Sequence, residues 1–162
     1  MNAIDLLKND HRRVSTLLER VINNLNPQTG QTNSQELEQI RLEIRFHRKV
    51  LEEYLYPELQ TFEAMHASIT LDVRSANKID QLLAELRRNQ PPEQSWAGRL
   101  NSLREAWQSH VEQSESRLLP EAHELLGETR LQQLFYDMDA IRTHQSGQDS
   151  AIYPASRLGP KT

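Results

Sequence analysis

The chain has 162 residues, enough for one domain with a single hydrophobic core. Hydrophobic residues make up 36% and charged residues 26%, with five glycines and no clustering of β-branched residues, a balance that suits long amphipathic helices rather than strands. A net charge of −4 without a dense Lys/Arg run argues against a nucleic-acid surface. Zero cysteines exclude disulfides, thiolate metal sites and thiol chemistry.

No apolar run approaches the roughly 20 residues of a membrane span, and the N-terminal MNAIDLLKND lacks a signal-peptide core, so no membrane partner and a cytoplasmic location are expected. Ile4, Leu7, His11, Val14, Leu18, Val21 and Leu25 recur in steps of four and three, predicting a helix over about residues 3–26 with His11 in its buried seam. Asn26-Pro27 ends it, and a loop over 28–33 contains Gly30. Ser34 is read as the cap of a second helix, whose stripe is Leu37, Ile40, Ile44 and His47 and which runs through Pro57 to about Ala64. A weakly marked turn is expected near 64–69. A third helix follows, capped by Ser68 or Thr70, with the seam Val73, Ala76, Ile79, Leu83 and Leu86.

Asn89–Glu93, with Pro91-Pro92, reads as a break. The fourth helix carries Leu100, Leu103, Trp107, His110, Ser114 and Arg117 on one face and passes Pro120 to stop at Gly127. A fifth, over about 129–144, offers Leu131, Leu134, Phe135, Met138 and Ile141. The expected architecture is all-α: an antiparallel four-helix bundle over residues 1–144 with an additional C-terminal helix, followed by a polar, disordered tail over 145–162.

The two halves echo each other. HRKVLEEYLYP from His47 to Pro57 and HVEQSESRLLP from His110 to Pro120 both fit His-x4-Glu-x2-Leu-x-Pro. HRRVSTLLERV from His11 likewise aligns with ANKIDQLLAEL from Ala76. Three of the four equivalent positions therefore hold histidine, and the fourth holds Ala76. A single seam histidine is most often a hydrogen-bonded core residue, but three at equivalent repeat positions favour a shared ligand role. Imidazole suits zinc, copper, iron and nickel, and facing bundle helices are a place to build such a site. His123 and His144 fall outside the repeat and are read as surface or edge residues. Trp96 and Trp107 are read as packing anchors.

These segments, with DLLKNDHRRV around His11, resemble the hemerythrin-like (HHE) family over about residues 3–126. The resemblance implies a four-helix bundle with a non-haem diiron centre held by His, His-x3-Glu, His and His-x3-Glu, and functions in binding or sensing oxygen, sensing iron, or repairing nitrosative damage. It gives His11, His47 and His110 the roles of ligands, with oxygen or nitric oxide as the small partner. The family's glutamates at i+4 fall on Leu51 and Ser114, whereas Glu52 and Glu115 stand at i+5. On a regular helix i+4 lies about 40° from the histidine and i+5 about 140° away, so these carboxylates point out of the site unless a π-bulge adds a residue. Glu115 is the first choice of carboxylate, because blood-type hemerythrins place their last one at that spacing; Glu52 is second and Glu43, at i−4 from His47, third. His66 is the alternative helix-three ligand, requiring an earlier turn, and Tyr54 shares the face of His47.

Three function classes follow. The first is an iron protein binding oxygen or nitric oxide. The second is a bundle that keeps the fold without a diiron centre and acts as a regulatory or interaction module with a protein partner. The third uses the same histidines for a single metal or haem. No nucleophile-and-base motif or phosphate-binding glycine loop points to a transferase. Two irons need carboxylates to offset their charge and neutral imidazoles offset none, so fewer metal ions than in intact relatives are expected.

Overall fold

The computed structural model describes residues 1–25, 34–88 and 96–152, with side chains described except at 96 and 145–152. Helix α1 spans Ala3–Asn23. It begins where Asn2 accepts the backbone N–H groups of Ile4 and Asp5, while Asp5 reaches back to the Asn2 N–H at 2.9 Å. Helix α2 spans Ser34–Val50 and is continued by a π-helical turn at Leu51–Leu55 and by α3, Tyr56–Leu59. A short 3₁₀ turn at Glu63–Met65 leads into α4, His66–Arg88. Helix α5 spans Trp96–Gln113, is continued by a second π-helical turn at Ser114–Leu118, and passes into α6, Leu119–Ile152.

The π turns have a cause in the repeat's proline. A proline inside a helix removes one N–H and its ring collides with the carbonyl four residues back. In both copies the residue just before the proline makes an i→i−5 bond instead: Tyr56 N–H donates to the Leu51 carbonyl, and Leu119 N–H to the Ser114 carbonyl. The widened turn shifts every later residue round the helix by about one position. Leu55 and Leu118 therefore sit in the core, while Arg117, expected on the buried face, is exposed and pairs with Glu121. For the same reason Tyr54 lies at the edge of the core rather than beside His47.

Gly127 breaks α6 at φ 76°, ψ 163°, a conformation open essentially to glycine. The segment beyond it forms the expected additional helix, burying Leu131, Leu134 and Met138, and its backbone stays helical to Ile152. The disordered tail expected over 145–162 is therefore helical in backbone over 145–152, while 153–162, the 28–33 loop and the 89–93 break lie outside the described residues. The second connection differs from expectation. The chain leaves the helix at Gln60, Phe62 is extended at φ −102°, ψ 114°, and α4 begins at His66, ahead of Ser68 and Thr70. Helix α2 is described from Ser34 on, and the residues immediately before it lie outside the described residues.

The core has two apolar clusters. One gathers Leu7, Val50, Leu55, Leu59 and Met65 with Leu131 and Met138. The other gathers Val14, Leu18, Ile40, Ile79, Leu100 and Trp107. His11 follows Leu7 and precedes Val14, and His47 stands between Ile44 and Val50. The three seam histidines thus occupy a polar layer between the two clusters.

Candidate metal centre

His11, His47 and His110 are 1%, 3% and 2% exposed, and one ring nitrogen from each lies within 4.8 Å of the other two. Among the described residues they are the one group of three or more His, Asp and Glu side chains so arranged. Trp107 closes one side, with its ring centroid 5.8, 5.6 and 5.3 Å from those of His11, His47 and His110. Its indole N–H donates to Ser15 Oγ at 3.1 Å, which fixes the ring.

The hydrogen bonds behind the rings determine which nitrogens face inward. His11 Nδ1 lies 2.8 Å from Glu115 Oε1, and His47 Nδ1 3.3 Å from Asp10 Oδ2. An ionised carboxylate only accepts, so each Nδ1 carries the proton. For His110 the argument runs through Ser75. Ser75 Oγ lies 2.8 Å from the Asp72 carbonyl and 2.7 Å from His110 Nδ1; with its one proton on the carbonyl it accepts from Nδ1, and with that proton given to Nδ1 it leaves His110 Nε2 a donor toward His47. Asp72 Oδ1 stands 3.5 Å from His110 Nδ1. In the first arrangement all three Nε2 atoms are bare acceptors, the form that a metal ion would take. His11 Nε2 is buried without a partner, and the Nε2 atoms of His47 and His110 face each other at 3.4 Å.

The supporting carboxylates are themselves held. Arg142, on the helix after Gly127, bonds Asp10 Oδ1, stacks over Phe46 at 4.2 Å and reaches Glu43 at 3.4 Å. Tyr56 donates its hydroxyl to Asp72 Oδ2. Burial and the adjacent Asp72 hold the Tyr56 phenol well above its ordinary range, so it remains a donor. Burial pushes Asp10 up to about 7, opposed by Arg13, and raises Asp72 against the pull of His110. It also drives the imidazoles toward their neutral forms. His11 is pushed down to about 3, chiefly by burial and then by His47, with the Glu115 hydrogen bond opposing. Burial likewise lowers His47, aided by His110, and lowers His110 against Asp72.

Of the residues singled out from sequence, the structure brings together the three histidines and places Glu115 at the edge of the cluster, on the Nδ1 side of His11. The π turn allows this by turning i+5 toward the bundle. Glu52, at the equivalent position, is 48% exposed and bonds Arg48 at 2.6 Å. Glu43 pairs with Arg13 and Arg142. His66 is exposed at the start of α4, with its ring bonded to the Gln60 carbonyl at 2.8 Å. Leu51 and Ser114 are buried at i+4, and Ala76 lines a cleft beside His47 and His110. Sequence reasoning missed Asp10, Asp72, Ser75, Tyr56 and Arg142. The available signal was Asp72, one turn before Ala76 on the buried seam, and Asp10, next to His11.

The donor set fits a metal ion. Three convergent neutral imidazoles, each backed by a carboxylate or hydroxyl, form the arrangement that orients histidine ligands.

The family model for the Hemerythrin HHE cation binding domain matches residues 2–122. The crystal structure of a Hemerythrin HHE cation binding domain-containing protein from Mycobacterium kansasii has a similar fold, with a TM-score of 0.76 at 21% identity. The match covers 99% of this chain and 95% of that one. No curated protein matches the chain.

Proposed function

Because this chain belongs to the hemerythrin HHE cation-binding domain family, we propose that His11, His47 and His110 hold one metal ion through Nε2, that the ion is non-haem iron, and that the protein binds or senses oxygen or nitric oxide. The convergence of three buried imidazoles, with His11 Nε2 unpartnered and the Nε2 atoms of His47 and His110 facing each other, carries this reading. Bound there, iron would supply a redox-active Lewis acid with coordination positions left open. One ion is favoured over two because Leu51 and Ser114 replace the i+4 carboxylates and Ala76 replaces the fourth imidazole. Glu115 and Asp10 contribute their charge from behind the rings and steady the imidazoles. The neighbouring cleft, with room for about one water-sized molecule, is far too small for a porphyrin.

The same three replacements favour the second reading, a metal-free regulatory or interaction bundle. Calorimetry with iron(II), and with zinc as a redox-silent control, separates the two. The metal reading expects binding by the wild-type chain that is lost in His47→Ala/His110→Ala. Absence of heat at micromolar concentration for both metals leaves the metal-free bundle.

A further inference from the structure

Arg41, Arg45 and Arg48 follow one another in steps of four and three along α2, so they share one face of that helix. They form one wall of a surface groove of about 310 Å³, and Asp80, Leu83, Ala84 and Arg87 of α4 form the other. The two helices run in opposite directions here. Arg48 bonds Asp80 and, at 2.8 Å, Asn77. At the other end Arg41 bonds Glu38 at 2.9 Å, and Arg87 also exerts its charge on that carboxylate. Four guanidiniums and one carboxylate thus line a groove on a chain whose net charge is −4. Arg45, midway along, is exposed and has no hydrogen bond or ion pair among the described residues. Like charges one helical turn apart, as Arg41 and Arg45 are, repel each other, and a bound anion relieves that repulsion.

We propose that this groove binds a short linear oligophosphate, free or as the phosphate chain of a nucleotide, and that Arg45 and Arg87 take up most of its charge. The site stands apart from the metal reading, since none of its residues is one of the three histidines or a group that hydrogen-bonds them. A guanidinium presents paired donors that match phosphate oxygens. From Arg41 to Arg48 the stripe covers about 10 Å of helix axis. A lone orthophosphate reaches only part of that length, whereas a chain of linked phosphates runs along it. Asp80, Asn77 and Glu38 hold the two end arginines in place before the ligand arrives, which lowers the cost of ordering them. The groove volume lies at the small end of ligand sites. A stripe this short on an acidic chain does not suit nucleic acid. Leu83 and Ala84 offer too little apolar surface to enter a bilayer.

Calorimetric titration of the full-length chain with sodium tripolyphosphate tests the proposal. Tripolyphosphate should bind about tenfold or more tightly than orthophosphate at equal ionic strength. Arg45→Gln/Arg87→Gln should weaken it by about tenfold or more, whereas Arg20→Gln/Arg74→Gln, an equal loss of charge at exposed positions outside the groove, should leave it within about twofold. Arg45→Lys keeps the charge without the paired donors and should fall between wild type and the glutamine variant. Circular dichroism confirms that each variant is folded. A parallel titration with ATP assigns the source: affinity equal to or above that for tripolyphosphate indicates a nucleotide, and weaker affinity a free oligophosphate. Because oligophosphates chelate metals, each titration is repeated after chelator treatment, and unchanged affinity is expected. Affinity lost after that treatment, equal affinities for tripolyphosphate and orthophosphate, or equal losses in the two double variants overturns the proposal. So does binding of RNA or phosphatidylserine vesicles through Arg45 and Arg87 with no heat from tripolyphosphate.

Discussion

His47 and His110 meet Nε2 to Nε2 at 3.4 Å, with Asp10 behind one ring and Ser75 behind the other. Two lone pairs directed at each other in a buried site repel unless a cation or a proton lies between them. A proton on one of the two atoms meets that requirement in the metal-free chain, and with the unpartnered His11 Nε2 beside them one ion would meet it for all three. Binding should raise Tm in proportion to the logarithm of free metal. In His47→Ala/His110→Ala the metal-dependent shift should vanish in thermal scans run with and without zinc, and a persistent shift would place the ion elsewhere.

The carboxylates behind the rings give a second expectation. Asp10→Asn removes the charge that holds His47 and should weaken metal affinity by about 10–100-fold while the helical content stays intact. Arg142→Ala should act in the same direction through Asp10, because the arginine bonds the opposite carboxylate oxygen. Competition titrations against a chelator measure both. An Arg142→Ala affinity equal to wild type would confine that residue to packing on Phe46.

Glu115 and Glu52 occupy the same position of the repeat and have different surroundings. Glu115→Gln should weaken metal binding, because it loosens the His11 ring, whereas Glu52→Gln should leave affinity unchanged. Equal losses in the two variants would indicate that both carboxylates reach the ion.

The depressed imidazoles set the pH dependence. A lowered pKa means the neutral, metal-competent form persists below the ordinary value of 6.5, so protons do not compete there. Protonation of the imidazoles should cost no affinity between about pH 7.5 and about pH 5.5, so loss in that window should follow Asp10, which takes up its proton at about 7, and should be absent in Asp10→Asn. In Asp10→Asn, a tenfold loss per unit beginning near the ordinary histidine value would show that the rings titrate as if exposed.

Gly127 offers a test of the fold. Its φ of 76° with ψ of 163° suits no other residue, and an added Cβ meets nothing within 4 Å, so strain alone is at stake. Gly127→Ala should cost about 1–3 kcal/mol, which lowers Tm by several degrees for a chain near this size. An unchanged Tm would mean that the helix carrying Arg142 does not need this bend.

The histidines were legible in the sequence because apolar periodicity reports burial and the repeat reports equivalence. Gly127 was legible as a helix stop because glycine has a conformational reason to stand there. The turn after Leu59 was not, since no glycine or proline marks it and Phe62 alone takes the extended conformation. The register beyond each histidine was only half legible. The helices were expected to run on through Pro57 and Pro120, and the chain does so by widening the preceding turn, which carried Arg117 outward and brought Glu115 to His11. Asp10, Asp72 and Ser75 escaped because polar residues beside a seam look solvated until the opposing helix is in place.

Metal content measured by mass spectrometry on protein purified without an affinity tag, after reconstitution with iron(II) under anaerobic conditions, tests the central claim most directly. The account predicts one iron per chain and none in His47→Ala/His110→Ala. Two irons per chain with an oxo-bridge absorption band would contradict it and would make Glu115 and Glu52 ligands.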